Sequence, residues 1–345
     1  MSAAQLPEPP TVVVTTAGSA PTPGAILRLR ALGYRVVATD VDPAAPGLYL
    51  ADRGYLVPPG GSTGFLPEIR GICAKEEAGA VVPLVDEELD AVTELEDDGI
   101  AVLAPRREFV RTCLDKALLM ARLADAGVPV PETRSAAAPA GDLVFPVVVK
   151  PRTGRGGRGV AVCASPAELA RRIEHGGYPA ADLIVQELLA GTEFTVSVVV
   201  WRDGAVQAVV PKEVILKRGV TQYAVTRRHE RVAQVCRAVQ RELRADGPFN
   251  VQLALDAAGE PRVFEINPRF SSTAPLTVAA GVDEIGGLLG QALAGGPRLA
   301  DDWRDGVVMV RRWAEEFVDE ADFVRHGVLP VADARDRGRD SRAGR

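Results

Sequence analysis

Apolar residues along this chain follow two periods, and the changes between them divide it. Near the start, TVVVTTAGSAPTPGAILRLRALGYRVVATDVDP reads as an apolar strand, a Gly/Pro loop, a helix and a second strand ending at Asp40. Short apolar runs (GYLVPP, AVVPLV, IAVLAP) then alternate with helical stretches, one from Phe65 to Ala78 and one from Asp86 onward. Strands alternating with helices predict a parallel sheet covered on both faces, because each crossover helix packs back onto the sheet. The expectation is a Rossmann-like α/β domain over residues 11–108, after a disordered Pro-rich tail over residues 1–10.

From Phe109 the pattern changes. FVRTCLDKALLMARLADAGVPVPET predicts one amphipathic helix, stopped by Gly127 and then by Pro129 and Pro131. FPVVVKP, a glycine loop, GVAVCA, a helix capped by Ser165 with Glu168 three positions on, and DLIVQELL predict a small lobe over about residues 140–190. EFTVSVVVWRDGAVQAVVPKEV predicts a hairpin turning at Asp203-Gly204, and FNVQLALDAAGEPRVFEINP a second one turning near Ala258-Gly259. Together these make an α+β domain over residues 109–330. The segment over residues 215–231 is expected near an acceptor site, and its role stays open. Residues 331–345 are charged and poor in large apolar side chains, which predicts a disordered tail.

Composition narrows the partners. The 345 residues are 47% hydrophobic and 25% charged with a net charge of −6, a globular balance without the basic footprint of a nucleic-acid or anionic-membrane binder. Small-molecule partners are expected, with no nucleic acid and no membrane. Cys73, Cys113, Cys163 and Cys236 lie far apart with no C-x-x-C pair, which fits free thiols in a reducing compartment. MSAAQLPEPP has no basic patch leading into an apolar segment, and no run approaches the length of a membrane span, so a cytoplasmic location is expected. His175, His229 and His326 show no metal spacing and receive no role.

Three places carry candidate chemistry. The loop TGRGGRG holds Gly154, Gly156, Gly157 and Gly159, and strands flank it on both sides, so it does not fit a dinucleotide fingerprint that opens a helix. It fits a flap whose bare backbone amides approach phosphates; the alternative is a surface hairpin turn or an arginine/glycine single-strand-binding segment. Lys150 ends the apolar strand before it and suits the α- and β-phosphates, whereas Lys116, taken alone, reads as a solvated helix lysine. In PRVFEINPRFSST, Glu265 and Asn267 lie two apart on a strand and so share a face, with Gln252 on the partner strand. These are hard oxygen ligands for Mg²⁺, and Arg269 would meet a phosphoryl group; the alternative is an Asn-Pro turn with Gln252 bonded across the hairpin.

In family order, LDK, FPVVVKP, TGRGGRG, IVQELLAGTEFTV, FNVQLAL and FEINPRFSST resemble an ATP-grasp enzyme of the branch similar to the carbamoyl-phosphate synthetase large subunit. The resemblance implies a two-lobed ATP-grasp fold behind a pre-ATP-grasp α/β domain. It implies Gln186 at the adenine amino group, backbone groups of Glu187 and Leu189 at the adenine edge, and Glu193 on the ribose. Lys116 and Lys150 match phosphate-binding lysines, and Gln252, Glu265 and Asn267 match ligands for Mg²⁺ or Mn²⁺, with two ions expected. Arg269 matches a phosphate and acyl-phosphate contact, and Lys212 falls where relatives carry a basic residue near the transferred phosphate. The implied activity is ADP-forming ligation of a small-molecule carboxylate and an amine through an acyl phosphate, in a chain compatible with a homodimer. The alternatives are phosphorylation of a carboxyphosphate- or carbamate-type substrate, an NAD-type oxidoreductase resting on the first βαβ unit and Asp40, and a silent ATP-sensing protein. Asp86, Glu87 and Glu88 read as a solvated helix N-terminus or as an amine-binding cluster.

Overall fold

The computed structural model of the protein describes residues 10–138, 143–154, 156–312, 314–320 and 323; the tails expected to be disordered lie outside them, apart from Pro10. Contacts divide the chain into two compact units, one running up to Val102 with the segment after Arg312, the other Leu103–Arg312.

The first unit holds β1 (Thr11–Val14), α1 (Thr22–Ala31), β2 (Arg35–Asp40), α2 (Gly47–Leu50), β3 (Arg53–Leu56), α3 (Phe65–Lys75), β4 (Ala78–Val82), α4 (Asp86–Val92) and β5 (Ala101–Val102). The strands pair in parallel in the order β3-β2-β1-β4-β5. Every residue of β1 is buried, as a strand covered on both faces requires. α3 buries Phe65, Ile69, Ile72 and Cys73, the stripe that a 3.6-residue period selects.

Two acidic groups here differ from one of the readings that the sequence left open for each. Asp40 is buried, and its oxygens accept from the amides of Gly18 (2.7 Å) and Asp42 (2.8 Å), so it organises two loops instead of awaiting a nicotinamide ribose. Glu88 is buried, not solvated. Its carboxylate accepts from the Leu84 and Val85 amides (2.9 and 3.1 Å) and from the Thr15 and Thr16 hydroxyls (2.5 and 3.1 Å). These bonds tie the ends of β1 and β4 together, and they hold down a pKa that burial raises.

The second unit holds α5 (Arg107–Leu114), α6 (Lys116–Asp125), β6 (Thr133–Ser135), β7 (Val147–Pro151), β8 (Ala161–Cys163), α7 (Pro166–His175), β9 (Leu183–Glu187), β10 (Glu193–Val200), β11 (Val206–Arg218), β12 (Val220–Thr226), α8 (Glu230–Leu243), β13 (Phe249–Leu255), β14 (Pro261–Asn267), α9 (Ala274–Ala280), α10 (Glu284–Ala294) and β15 (Val308–Val310). Two antiparallel sheets result, β6-β9-β7-β8 and β14-β13-β10-β11-β12-β15. The segment from Ile215, whose role the sequence left open, includes the outer end of β11 and all of β12, joined at Gly219.

The single helix expected from Phe109 is two helices. Asp115 is extended between them and accepts from the Ala117 and Leu118 amides, capping α6. Arg152 holds the same carboxylate with two bonds of 2.7 and 2.6 Å, which depress its pKa. Apolar spacing runs through both helices, so periodicity could not reveal the break. Its consequence is that Lys116 stands at the first turn of α6.

Alternation sorts the large sheet into two faces. Phe194, Val196 and Val198 of β10 and Phe249, Val251 and Leu253 of β13 pack with Leu119, Met120 and Leu123 of α6 and Val232, Cys236 and Val239 of α8. Thr195, Ser197, Asn250 and Gln252 therefore face the other way. In β14 the register skips Phe264, a bulge that keeps both Val263 and Ile266 in the core. No described helix is long and apolar enough to cross a membrane, and all four cysteines are buried free thiols.

Candidate nucleotide and metal site

Directly opposed residues of antiparallel strands project to the same face. Glu265, Gln252, Thr195 and Lys212 stand opposite one another in turn on β14, β13, β10 and β11. Two positions along, on the same face, stand Asn267, Asn250 and Ser197. The three expected metal ligands are thus neighbours, with strands about 4.8 Å apart.

Two lysines converge on Glu265. Lys116 Nζ lies 3.5 Å from Glu265 Oε1 and donates to the Gly154 carbonyl at 2.6 Å. Lys150 Nζ donates to the Phe264 carbonyl at 3.1 Å, and Phe264 is the residue that the bulge leaves out of the ladder register. Burial lowers the Lys150 pKa to about 8; Glu265 opposes this, and Lys116 and Lys217 add to it. Two nearly buried ammonium groups against one carboxylate leave a local excess of positive charge that an anionic ligand would offset.

The loop between β7 and β8 lies beside these lysines. Gly154, Gly156, Gly157 and Gly159 have φ of 116°, 66°, 70° and 73°, conformations that side chains with a Cβ rarely adopt. The glycines are needed by the turn itself, whatever it binds. In the small sheet Val147, Val149, Leu169 and Val185 form the core, and Lys150 and Gln186 share the opposite face. Gln186 is buried, and its amide donates to the Thr133 hydroxyl at 2.8 Å.

Other expected residues have partners of their own. The Glu187 amide donates to the Glu132 carbonyl (2.9 Å), and its carboxylate accepts from the Glu132 amide and from Arg262, both at 3.3 Å. Leu189 is half-buried just beyond β9. Glu193 accepts from Lys217 Nζ at 2.6 Å. The Arg269 guanidinium donates to Asn267 Oδ1 (3.2 Å) and to the Phe270 carbonyl (3.1 Å), so it touches one of the expected metal ligands. Arg311, which sequence reasoning missed, donates to the carbonyls of Ser272 (2.8 Å) and Thr221 (3.0 Å) and so links the loop after Arg269 to β12.

Among the described residues no three His, Cys, Asp or Glu side chains gather as a metal site. Glu265 with two amide side chains is a hard-oxygen set carrying one charge. It suits Mg²⁺ or Mn²⁺ when phosphate oxygens complete the shell, and the residues present therefore fit a metal–nucleotide complex.

Lys212 is enclosed. Its ammonium donates to Ser197 Oγ (2.7 Å) and Thr277 Oγ1 (2.8 Å), and Ser197 donates to Glu284 Oε1 at 3.0 Å. Lys212 and Glu284 are both fully buried, so this hydroxyl-bridged pair pins α9 and α10 to the sheet. Burial lowers the Lys212 pKa to about 8 and raises that of Glu284, and each charge moderates the other's shift. Lys212 stands in the row of Glu265 and Gln252, but its ammonium is turned towards α9. VVPKEV gave no hint of this, because the partners come from distant segments.

A family profile described as ATP-grasp in the biosynthetic pathway with Ter operon matches residues 180–312, and one described as PylC-like, N-terminal domain matches residues 24–102. The chain carries an ATP-grasp domain. Solved structures share the fold. The biotin carboxylase domain of 2-oxoglutarate carboxylase from Hydrogenobacter thermophilus, in complex with MgADP, ADP and bicarbonate, is 19% identical with a TM-score of 0.71, covering 86% of this chain and 73% of that one. The N5-carboxyaminoimidazole ribonucleotide synthetase of Thermotoga maritima is 20% identical with a TM-score of 0.67, covering 89% and 82%. The L-amino acid ligase of Bacillus licheniformis is 16% identical with a TM-score of 0.68, covering 87% and 78%. The ATP-grasp profile spans Gln186 to Arg269, whereas Lys116, Lys150 and the glycine loop precede it.

Proposed function

We propose that the protein is an ATP-dependent, ADP-forming ligase that activates a small carboxylate as an acyl phosphate and passes it to an amine. The observation that carries this reading is the convergence of Lys116 and Lys150 on Glu265, beside Gln252 and Asn267 on the same sheet face. The ATP-grasp profile over the adjoining segment supports it.

In this reading Lys150 and Lys116 hold the α- and β-phosphates, and amides of the loop from Gly154 to Gly159 close over them. Gln186 and backbone groups of Glu187 and Leu189 take the adenine, and Glu193 takes the ribose. Gln252, Glu265 and Asn267 hold the metal, which supplies charge neutralisation at the phosphoryl oxygens. Arg269 offsets charge on the transferred group, and no side-chain nucleophile is needed. Lys212 acts at a distance, by fixing α9 behind the Arg269 loop. A small carboxylic acid and an amine are the substrates, and a reducing, cytoplasmic setting and a homodimer belong to the same proposal. So does a division into an α/β domain over residues 11–108 and an ATP-grasp domain over residues 109–330.

The test is ADP release in the presence of Mg²⁺ across amino acids, small carboxylic acids and bicarbonate, with mass spectrometry of any product. A carboxylate-dependent ADP signal, with a product formed by loss of water, supports ligation. A signal with bicarbonate alone supports carboxyphosphate chemistry, and no signal with any of these compounds contradicts both.

A further inference from the structure

Lys217 and Glu193 hold each other at 2.6 Å, which conflicts with the ribose role of Glu193. Glu193 opens β10, and Lys217 lies near the tip of the β11–β12 hairpin. The register of β11 against β12 shifts twice around Leu216, immediately before Lys217. Such irregularities re-aim a side chain and are common beside active sites. The Lys217 charge also reaches Lys150, whose pKa it helps to lower. A ligand anion held by Lys150 is therefore within the field of Lys217 as well.

Charge balance points the same way. Three ammonium groups, on Lys116, Lys150 and Lys217, meet two carboxylates, on Glu265 and Glu193. A triphosphate reverses that balance. The Lys217–Glu193 pair is partly exposed, and such pairs contribute little and exchange readily.

We propose that Lys217 is a third phosphate-binding lysine, whose ammonium exchanges the Glu193 carboxylate for nucleotide phosphate oxygens when ATP binds, releasing Glu193 to take the ribose hydroxyls. This rests on the ATP reading above. The hairpin beyond Ile215 thereby acquires a role, since its tip carries the cation that follows the phosphates.

The experiment compares equilibrium binding of adenosine and of Mg-ATP to the wild-type chain and to Lys217→Met, Lys217→Arg and Lys150→Met. For Lys217→Met, Mg-ATP affinity falls about tenfold or more while adenosine affinity holds or rises, since charge-assisted bonds to phosphate are lost and Glu193 is released. Lys217→Arg keeps most of the Mg-ATP affinity. Retained adenosine binding and an unchanged melting temperature show that the variant is folded. Equal losses for adenosine and Mg-ATP, or no loss for Mg-ATP, overturn the exchange. If Lys150→Met abolishes Mg-ATP binding while Lys217→Met leaves it intact, only this inference fails. If the wild-type chain binds no Mg-ATP, the ATP reading fails with it.

Discussion

Lys116 Nζ stands 3.5 Å from Glu265 Oε1, joining the first residue of α6 to β14. Asp115 makes that contact available. By ending one helix and capping the next, it turns a mid-helix lysine into one that reaches both Glu265 and the glycine loop.

Asp115→Ala therefore acts twice. Loss of the cap costs about 1 kcal/mol of stability in urea unfolding. Loss of the Arg152 anchor also loosens Lys116, so KM for Mg-ATP rises more than kcat falls. Equal stability and unchanged KM would show that Asp115 has no part in positioning the lysine.

The proposed metal ligands predict a selective phenotype. Gln252→Ala and Asn267→Ala shift the Mg²⁺ concentration for half-maximal ADP release upward by about tenfold, because each removes a neutral oxygen ligand. Adenosine affinity stays unchanged. A loss that excess Mg²⁺ does not relieve would speak against ligation by these residues.

Lys150 gives binding a pH signature. With its pKa near 8, it is largely neutral above that pH, and phosphate contacts require the charged form. Mg-ATP binding at about pH 9 thus takes up a proton, seen as a buffer-dependent heat that is absent near pH 7, where Lys150 is already charged. For stability the sign is separate. Between about pH 8 and the unfolded value of 10.5, the unfolded chain holds more protons at Lys150 and Lys212, so these two lysines make stability rise with pH across that window.

The Lys212–Glu284 pair predicts a large cost for half-removal. Glu284→Ala leaves a buried ammonium with hydroxyl partners alone and lowers unfolding free energy by about 3–5 kcal/mol, whereas Lys212→Met with Glu284→Gln recovers much of it. Chemical denaturation of the three proteins checks the order. Equal losses would show that the two charges do not depend on each other.

Period and alternation made much of this architecture legible. Phe194, Val196 and Val198 against Glu193, Thr195 and Ser197 is a two-residue repeat that fixes which face of β10 is core. Glu265 and Asn267 interrupt such a repeat, and that interruption drew attention to them. What stayed hidden depends on partners far along the chain. The break at Asp115 uses Arg152, the acceptor for Lys150 comes from a bulge at Phe264, and Lys212 is neutralised through Ser197, Thr277 and Glu284. Glu88 misled for the same reason: its acidic run looked solvated, and the distant Thr15 and Thr16 on β1's loop join the local Leu84 and Val85 amides in holding its buried carboxylate.

In the proposed reaction a carboxylate oxygen attacks the γ-phosphorus of ATP. That step is tested by incubating the enzyme, Mg-ATP and an amine with the ¹⁸O-labelled carboxylate found to drive ADP release, then weighing the inorganic phosphate. Transfer of one ¹⁸O per phosphate is the expected result; phosphate carrying no label would rule out the acyl phosphate.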